Sequence, residues 1–178
     1  INELEGTLTL SQAGEPTNYT GTFERQDWEE DVKGALGRFV LDFQCSKPYR
    51  EAAAFLTART LSGITVGSTT NGIGALPGSY NPAMRLTLTI NSTPDTDIKY
   101  VKLTNPANGQ YIKVSRVWTA ADELVVDTDA MTVKVNGTDV DFANVFPDFE
   151  PGNASITYED NMSARNVTLE VEYKKRDF

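Results

Sequence analysis

The sequence contains no histidine and only one cysteine, Cys45. Without histidine, Ser-His-Asp and Cys-His catalysis, histidine general bases and histidine-ligated metal sites are excluded. A single cysteine cannot form an internal disulfide bond. Cys45 alternates with Phe39, Leu41 and Phe43 on one predicted strand face, which favours a buried, inert thiol. No apolar run approaches the roughly 20 residues needed to span a bilayer, so no membrane insertion is expected.

Basic residues are in the minority, and this limits the partners of the chain. The 178 residues include 25 acidic and 16 basic side chains, which gives a formal charge of −9. A phosphate backbone would be repelled, so we expect no specific nucleic-acid binding. The hydrophobic share of 39% is that of a folded protein rather than a disordered one. The N-terminal residues lack a basic start and an apolar segment, so no signal peptide is predicted.

Short alternating segments separated by strong turns fill the C-terminal half. Met131, Val133 and Val135 alternate with polar residues and predict the buried face of a hairpin strand. Asn136-Gly137 fits a two-residue turn with positive φ at both positions, and Pro151-Gly152 fits a type II turn. The chain is therefore predicted to reverse at both places.

Further alternating segments predict that residues 83–178 form a β-sandwich. They lie at residues 86–91, 98–103, 111–118 and 167–173. Strict period two places one side of such a strand in the core and the other in water. Six or seven strands spaced about 8 to 12 residues apart are typical of an antiparallel sandwich. The fold class is therefore predicted to be mainly β.

Residues 1–60 are predicted to form a smaller β-rich part with one short helix near residues 28–36. Asp27 can serve as the N-cap of this helix, and Glu30 can complete a capping box. Residues 51–59 have high helix propensity but also fit an extended connection, so both interpretations stay open. The N-terminal part therefore combines strands with little helix.

Residues 61–82 are rich in Gly, Ser, Thr, Asn and Pro and interrupt the hydrophobic periodicity. Such a composition is typical of loops and linkers. The lysine and following helix of a phosphate loop are missing around Gly72-Ile73-Gly74. We therefore predict a linker or long exposed loop between the two parts.

Three sequence blocks in the C-terminal half occur in a recognisable order. They read LVVDTDAMTVKVNG at residues 124–137, FPDFEPGN at 146–153 and VEYKKRDF at 171–178. This succession resembles the distal tail protein family of long-tailed, non-contractile bacteriophages. FVLDFQCSKPY at residues 39–49 also resembles the strand that closes the ring-forming domain of that family.

The resemblance implies a galectin-like, jelly-roll-like sandwich in residues 83–178 and the end of a ring-forming, tail-tube-like domain in residues 1–60. It implies a structural virion protein at the tail tip, joining the tail tube to the host-recognition apparatus, with no enzymatic activity and no cofactor. The implied partners are further copies in a hexameric ring and the tail tube, tape-measure and baseplate hub proteins. DNA would pass through the ring without specific binding.

Aromatic residues suggest a competing function, a carbohydrate-binding module that recognises host surface glycans. Galectin-like sandwiches bind sugars with a tryptophan flanked by polar residues, and Arg116 with Trp118 is the nearest pair of that kind. Exposed aromatic rings can stack on sugars while their polar atoms form hydrogen bonds. Other candidate aromatic residues are Trp28, Tyr80 and Tyr111.

The C-terminal segment Lys174-Lys175-Arg176 is a small basic patch in an acidic chain. Complementary charge steers association between proteins. We therefore predict that these three residues are a docking point for a neighbouring subunit.

Carboxylates crowd the hairpin region and invite comparison with a calcium-binding loop. They are Asp127, Asp129, Asp139, Asp141 and Asp148. Their spacing does not match the twelve-residue calcium loop, with its glycine at position six and glutamate at position twelve. Acidic residues at hairpin ends commonly form turns, so no metal site is predicted.

Overall fold

The computed structural model describes the backbone of residues 4–12, 15–29 and 38–45 and all of residues 49–178. The chain divides into two compact units, Ile1–Ala53 with Asp177–Phe178, and Ala54–Arg176. All regular elements in the described ranges are β-strands, which confirms the mainly β prediction. No helix in these ranges has the length and apolarity that a membrane crossing requires.

The first unit is an antiparallel arrangement around one long strand. Its strands are β1 (Leu4–Gln12), β2 (Glu15–Glu29), β3 (Arg38–Cys45) and β4 (Arg50–Ala52). Strand β2 pairs with β1, β3 and β4. The side chains of Cys45 and its predicted strand face lie outside the described part of the chain.

The helix predicted near residues 28–36 is wrong at its start. Trp28 and Glu29 are the last residues of β2, where they pair with Phe39 and Arg38 of β3. Backbone pairing across the sheet overrides a local capping signal, because it satisfies the same backbone groups over a whole strand. The rest of the predicted helix, residues 30–36, lies outside the described residues.

The second unit is a sandwich of two antiparallel sheets. Its strands are β5 (Leu56–Ile64), β6 (Ser68–Leu76), β7 (Tyr80–Ser92), β8 (Ile98–Thr104), β9 (Tyr111–Val117), β10 (Glu123–Asp127), β11 (Thr132–Val135), β12 (Thr138–Asp139), β13 (Ala143–Asn144), β14 (Gly152–Asp160) and β15 (Asn166–Asp177). The first sheet has the order β5-β15-β7-β10-β11-β12, and the second has the order β13-β9-β8-β14-β6. The sandwich prediction is thus confirmed.

The core lies between these two sheets and consists of the side chains that point inward at every second position along each strand. One buried cluster joins residues from both sheets. The first sheet contributes Met84, Leu86, Leu88 and Ile90 of β7, Leu124 and Val126 of β10, and Val167, Leu169 and Val171 of β15. The second sheet contributes Val101 and Leu103 of β8, Ile112 and Val114 of β9, and Ile156 and Tyr158 of β14. Burying each large aliphatic side chain contributes about 1.5–3 kcal/mol. The period-two pattern of the sequence therefore supplies the main stabilising force.

The two predicted turns have the expected backbone. Asn136 and Gly137 have φ angles of 52° and 77° and connect β11 to β12, while Gly152 has a φ of 112°. Met131, however, was wrongly assigned to the buried strand face. It adopts a φ of 54° before β11 begins and leaves 60% of its side chain exposed. The turn that starts after β10 thus extends one residue further than alternation suggests.

The linker predicted at residues 61–82 is wrong, because this segment contributes to both sheets. Ile73 and Leu76 of β6 are buried in the core. A Cβ atom on Gly78 would lie 2.5 Å from the carbonyl oxygen of Arg176, so the backbone is closely packed there. Strand β6 lies at a sheet edge and pairs with β14 across a bulge, next to Gly74 at φ 92°. Edge strands with bulges accept glycine and polar residues that a central strand would exclude.

The boundary between the units also differs from the predicted one. The division falls after Ala53 rather than at residue 60. The possible helix at residues 51–59 is not present, since β4 ends at Ala52 and β5 begins at Leu56. Strand β5 pairs with β15 from Leu56 onward, and this long-range pairing outweighs the helix propensity of the alanines.

Candidate interaction surface

Trp118 is part of the core and does not offer a ring face to a sugar. Its side chain is only 1% exposed, and its indole Nε1 donates a hydrogen bond to the backbone oxygen of Lys99 at 3.1 Å. The Arg116 guanidinium lies 5.5 Å from the centre of the Trp118 ring. The expected exposure of Trp118 is therefore wrong. Trp118 directly follows β9, and its large ring fills space between the two sheets.

An open groove lies beside Arg116. It has a volume of about 500 Å³ and is lined by residues 114–117 and 139–141. Arg116 donates from Nε to the carbonyl oxygen of Val117 at 3.1 Å. Two carboxylates, Asp139 and Asp141, line the same groove. The structure thus combines Arg116 with acidic side chains but not with an exposed tryptophan.

The basic segment at the end of β15 is partly engaged within the second unit. Arg176 donates to Asp129 Oδ1 at 2.6 Å. The Lys174 ammonium lies 4.7 Å from the centre of the Phe55 ring, which also carries the Arg85 guanidinium at 3.9 Å. These contacts reduce the charge available to a partner, and docking through Lys174, Lys175 and Arg176 stays a prediction.

Two of the acidic side chains of the hairpin region, Asp127 and Asp148, accept hydrogen bonds within the chain. Asp127 Oδ1 accepts hydrogen bonds from the backbone nitrogens of Asp129 at 3.0 Å and Ala130 at 2.9 Å. Asp148 accepts from Asn81 at 2.8 Å. Among the residues that the structure describes, no group of three or more candidate ligands could hold a metal ion.

A buried ion pair between β14 and β15 was not found from the sequence. The carboxylate of Asp160 has no solvent exposure and accepts hydrogen bonds from Arg165 at 2.9–3.2 Å, and from the backbone nitrogen of Met162 at 2.6 Å. The Tyr158 hydroxyl donates to the same carboxylate. Burial, together with Asp160, raises the pKa of Tyr158, so the phenol stays protonated and donates. The only signal in the sequence was an acid and an arginine five residues apart at a strand connection.

Asp122 anchors a second buried network, at the start of the β10–β11 hairpin. Its carboxylate accepts from the backbone nitrogen of Thr119 at 2.8 Å and from Asn136 Nδ2 at 2.7 Å. Asn136 Oδ1 in turn accepts from the backbone nitrogen of Glu123 at 2.9 Å. Burial raises the pKa of Asp122, but the hydrogen bonds from Thr119 and Asn136 outweigh it and hold the pKa below its ordinary value. The ionised carboxylate therefore stabilises the hairpin.

We expect Asp122→Asn to destabilise the fold by about 1–3 kcal/mol at neutral pH, because the new amide nitrogen would face Asn136 Nδ2. A carboxylate with a lowered pKa contributes fully above the unfolded pKa of about 3.9 and loses its contribution as the pH falls through the folded pKa. The difference in the free energy of unfolding between the wild-type protein and the variant should therefore become smaller below about pH 4. Urea unfolding over a pH series measures it.

The exposed Asp141 supplies the control for this experiment. Asp141→Asn makes the same change in charge at a surface position, so its effect should stay within about 0.5 kcal/mol. If Asp122→Asn lost about the same amount of unfolding free energy at every pH from about 7 to about 3, this would contradict the stabilising role of the ionised Asp122 carboxylate.

Comparisons with known proteins agree with this architecture. The family model described as "Siphovirus-type tail component, C-terminal domain" matches residues 81–177. No curated protein sequence matches the chain. The matched residues begin in β7 and end in β15, so they include both central strands of the first sheet and most of the second.

A solved structure has a similar fold. It is the SPP1 Dit protein, described as a paradigm of the hub adsorption apparatus in phages that infect Gram-positive bacteria. The alignment has a TM-score of 0.53 at 15% identity and covers 94% of this chain and 65% of that chain. The present chain thus spans about two thirds of the length of that protein. Since the family model covers more than half of the sequence, the chain belongs to the siphovirus-type tail component family, and the resemblance to distal tail proteins is confirmed.

Proposed function

We propose that this protein is a distal tail component that joins the tail tube to the host-recognition apparatus of a siphovirus. The observation that carries the proposal is the family match to residues 81–177, the segment that builds most of the sandwich. The solved SPP1 Dit protein, described as part of a hub adsorption apparatus, has a similar fold. The protein acts at the tail tip of the virion.

The interior of the sandwich supports a mechanical rather than a catalytic role. Leu86, Leu88 and Leu169 are completely buried, and the space between the sheets is filled by side chains. The buried charged groups Asp160 and Asp122 hold turns and strands in place instead of facing a cleft. Close-packed sheets resist deformation, as a connector that carries load must do.

We further propose that copies of the chain assemble in a hexameric ring around the path of the DNA. The ring contacts the tail tube, tape-measure and baseplate hub proteins. The formal charge of −9 supports passage of DNA without specific binding, since like charges repel. Residues 1–53 supply the closing part of the ring-forming domain, and the sandwich serves as a docking platform for neighbouring proteins.

Immunogold electron microscopy of virions tests this function. An antibody against the sandwich should label the distal end of the tail, at the junction between the tube and the host-recognition apparatus. Preabsorption of the antibody with the purified protein is the control and should remove the label. Labelling along the whole tube or on the capsid would contradict the proposal.

Within the part of the chain that the structure describes, nothing favours the alternative of a carbohydrate-binding module. The aromatic residue on which it depended, Trp118, is in the core, and Tyr111 lies beneath the Lys102 ammonium at 4.7 Å. We therefore expect the purified protein to give no specific signal on an array of host cell-wall glycans. Specific binding that survives in an Arg116→Ala variant would place a sugar site elsewhere on the chain.

A further inference from the structure

The groove beside Arg116 is bounded on one side by a strand edge that is only partly covered. Strand β13 pairs with β9 at just two positions, Ile112 and Lys113. Beyond them the pairing stops, and residues 139–141 form the opposite wall of the groove from residues 114–117. The second half of the β9 edge therefore faces an opening of about 500 Å³.

The backbone groups of Ser115 and Val117 point into this groove. The N–H of Asn105 donates to the carbonyl oxygen of Gln110 at 2.9 Å, which makes these two residues a hydrogen-bonded pair of the β8–β9 hairpin. Hydrogen-bonded and non-hydrogen-bonded pairs alternate along an antiparallel ladder. The even-numbered residues of β9 therefore direct their N–H and C=O groups toward β8, and the odd-numbered residues direct theirs away from it.

These outward backbone groups are largely unsatisfied. Tyr100 is opposite Ser115, and its N–H donates to Asn161 Oδ1 at 2.7 Å rather than to β9, as the alternation requires. Among residues 49–178, no group bonds to the N–H or C=O of Ser115 or to the N–H of Val117. Only the Val117 carbonyl oxygen is engaged, by Arg116 Nε at 3.1 Å. The exposed edge thus offers two donors and one acceptor to another strand.

Apolar side chains border the same edge. Val117 is exposed, and so are Ile98, which is opposite it on β8, and Phe142, which precedes β13. Open edges are commonly protected by charged residues or proline within the strand itself, whereas this edge ends in valine. When a partner adds a strand to such an edge, main-chain hydrogen bonds supply affinity and the surrounding side chains supply specificity.

The wall opposite the edge is acidic. Asp139 and Asp141 are exposed there, and neither forms an ion pair with a residue that the structure describes. Lys134 is opposite Asp139 in the β11–β12 register without forming such a pair. Arg116 is the basic residue of the lining, and its Nε is already bonded to the backbone. The groove therefore has two carboxylates available for a cation of a partner.

We propose that the open edge of β9 binds an extended segment of a partner protein. The segment adds as a strand beside Ser115 and Val117 and places a lysine or arginine side chain against Asp139 and Asp141. A second copy of this chain fits the edge less well, because edge-to-edge pairing would enclose both strands between the acidic walls of the two copies. The inference rests on the proposed function, since it names the chemistry of a segment that docks on the sandwich.

Synthetic peptides test this site on the full chain. The probe is a fluorescein-labelled octapeptide in which valine alternates with threonine and lysine. One control peptide has glutamate in place of lysine, and the other carries N-methyl groups that prevent strand pairing. We expect saturable binding of the lysine peptide in fluorescence anisotropy. Both controls should bind at least about tenfold more weakly, because one meets like charge and the other loses main-chain hydrogen bonds.

A substitution at Ser115 tests the backbone contact from the side of the protein. Ser115→Pro removes an N–H that faces the groove and leaves the hydrogen bonds to β8 intact, and proline is tolerated at such edge positions. It should weaken binding of the lysine peptide by at least about tenfold while the melting temperature in circular dichroism stays close to that of the wild-type protein. Ser115→Ala keeps the N–H and is the matched control, so it should bind like the wild-type protein.

Charge reversal at the opposite wall tests specificity without changing the backbone. The double variant Asp139→Lys, Asp141→Lys should prefer the glutamate peptide to the lysine peptide, which reverses the preference of the wild-type protein. An unchanged preference would overturn the assignment of a basic side chain to this wall.

The remaining outcomes separate this site from the proposed function. Absence of binding by every peptide, or equal binding of the lysine peptide to wild-type protein and Ser115→Pro, would overturn the open-edge site. Neither result would alter the position at the tail tip, which immunogold labelling tests independently. Self-association in sedimentation velocity that is lost in Ser115→Pro would overturn the choice of partner, because a second copy would then occupy the edge.

Discussion

Arg165→Ala is expected to destabilise the protein by about 3–5 kcal/mol, because it leaves a buried carboxylate without its partner. Asp160 has no solvent exposure, and the Arg165 side chain is only 15% exposed. The guanidinium also donates to the carbonyl oxygen of Met162. Its removal therefore also leaves this carbonyl oxygen without the hydrogen bond from Arg165. Urea unfolding followed by tryptophan fluorescence measures the change in the free energy of unfolding.

The Lys102–Glu159 ion pair offers a matched control for this effect. Its nitrogen and oxygen lie 2.6 Å apart, but both side chains are partly exposed. Ion pairs on the surface contribute about 0–1 kcal/mol, so Lys102→Ala should have a small effect. Equal losses for Arg165→Ala and Lys102→Ala would mean that burial does not strengthen the Asp160–Arg165 pair in this protein.

Trp118→Ala is expected to destabilise the protein by about 3–5 kcal/mol, as truncation of a large buried aromatic residue does. The change leaves a cavity between the sheets and removes the hydrogen bond from the indole to the Lys99 carbonyl. Trp118→Phe retains most of the volume and should be the milder variant. Thermal and urea unfolding of both variants measure the order of the effects.

Ile98→Ala is the control for this substitution, since the Ile98 side chain is exposed and should contribute little to the core. A Trp118→Ala variant that unfolds like the wild-type protein would contradict the buried position of the indole. If the wild-type protein bound a glycan and the folded Trp118→Ala variant did not, the carbohydrate-binding alternative would be restored.

The sequence was most informative where a strand has one buried face. Leu86, Leu88 and Ile90 of β7 were correctly predicted to point inward, as were Val167 and Leu169 of β15. In such strands each side chain has only two possible directions, and the hydrophobic pattern decides between them. The Asn136-Gly137 turn was predictable for a similar reason, because few residues tolerate positive φ.

Edge strands and long-range contacts were not predictable in this way. Strand β6 has the composition of a loop, and only its pairing with β14 identifies it as part of a sheet. Burial of Trp118 depends on how the two sheets pack. The ion pair of Asp160 with Arg165 depends on the path of the connection after β14. A local sequence pattern contains neither kind of information.

The candidate site was less predictable than the fold. The sequence predicts exposed aromatic rings at Trp118 and Tyr111, among others; the structure buries Trp118 and places Tyr111 beneath the Lys102 ammonium. Cross-strand register brings Lys102 opposite Lys113, although they are eleven positions apart in the sequence. Residues on one face of a sheet are close in space only through that register, so these lysine–tyrosine contacts became visible only in the structure.

Cryo-electron microscopy of tail tips that contain this chain tests the central claim most directly. The account predicts repeated two-layered density for residues 54–176 around the tail axis, at the distal end of the tube. Tail tips that hold a single copy, or density of this chain outside the tip, would contradict the account.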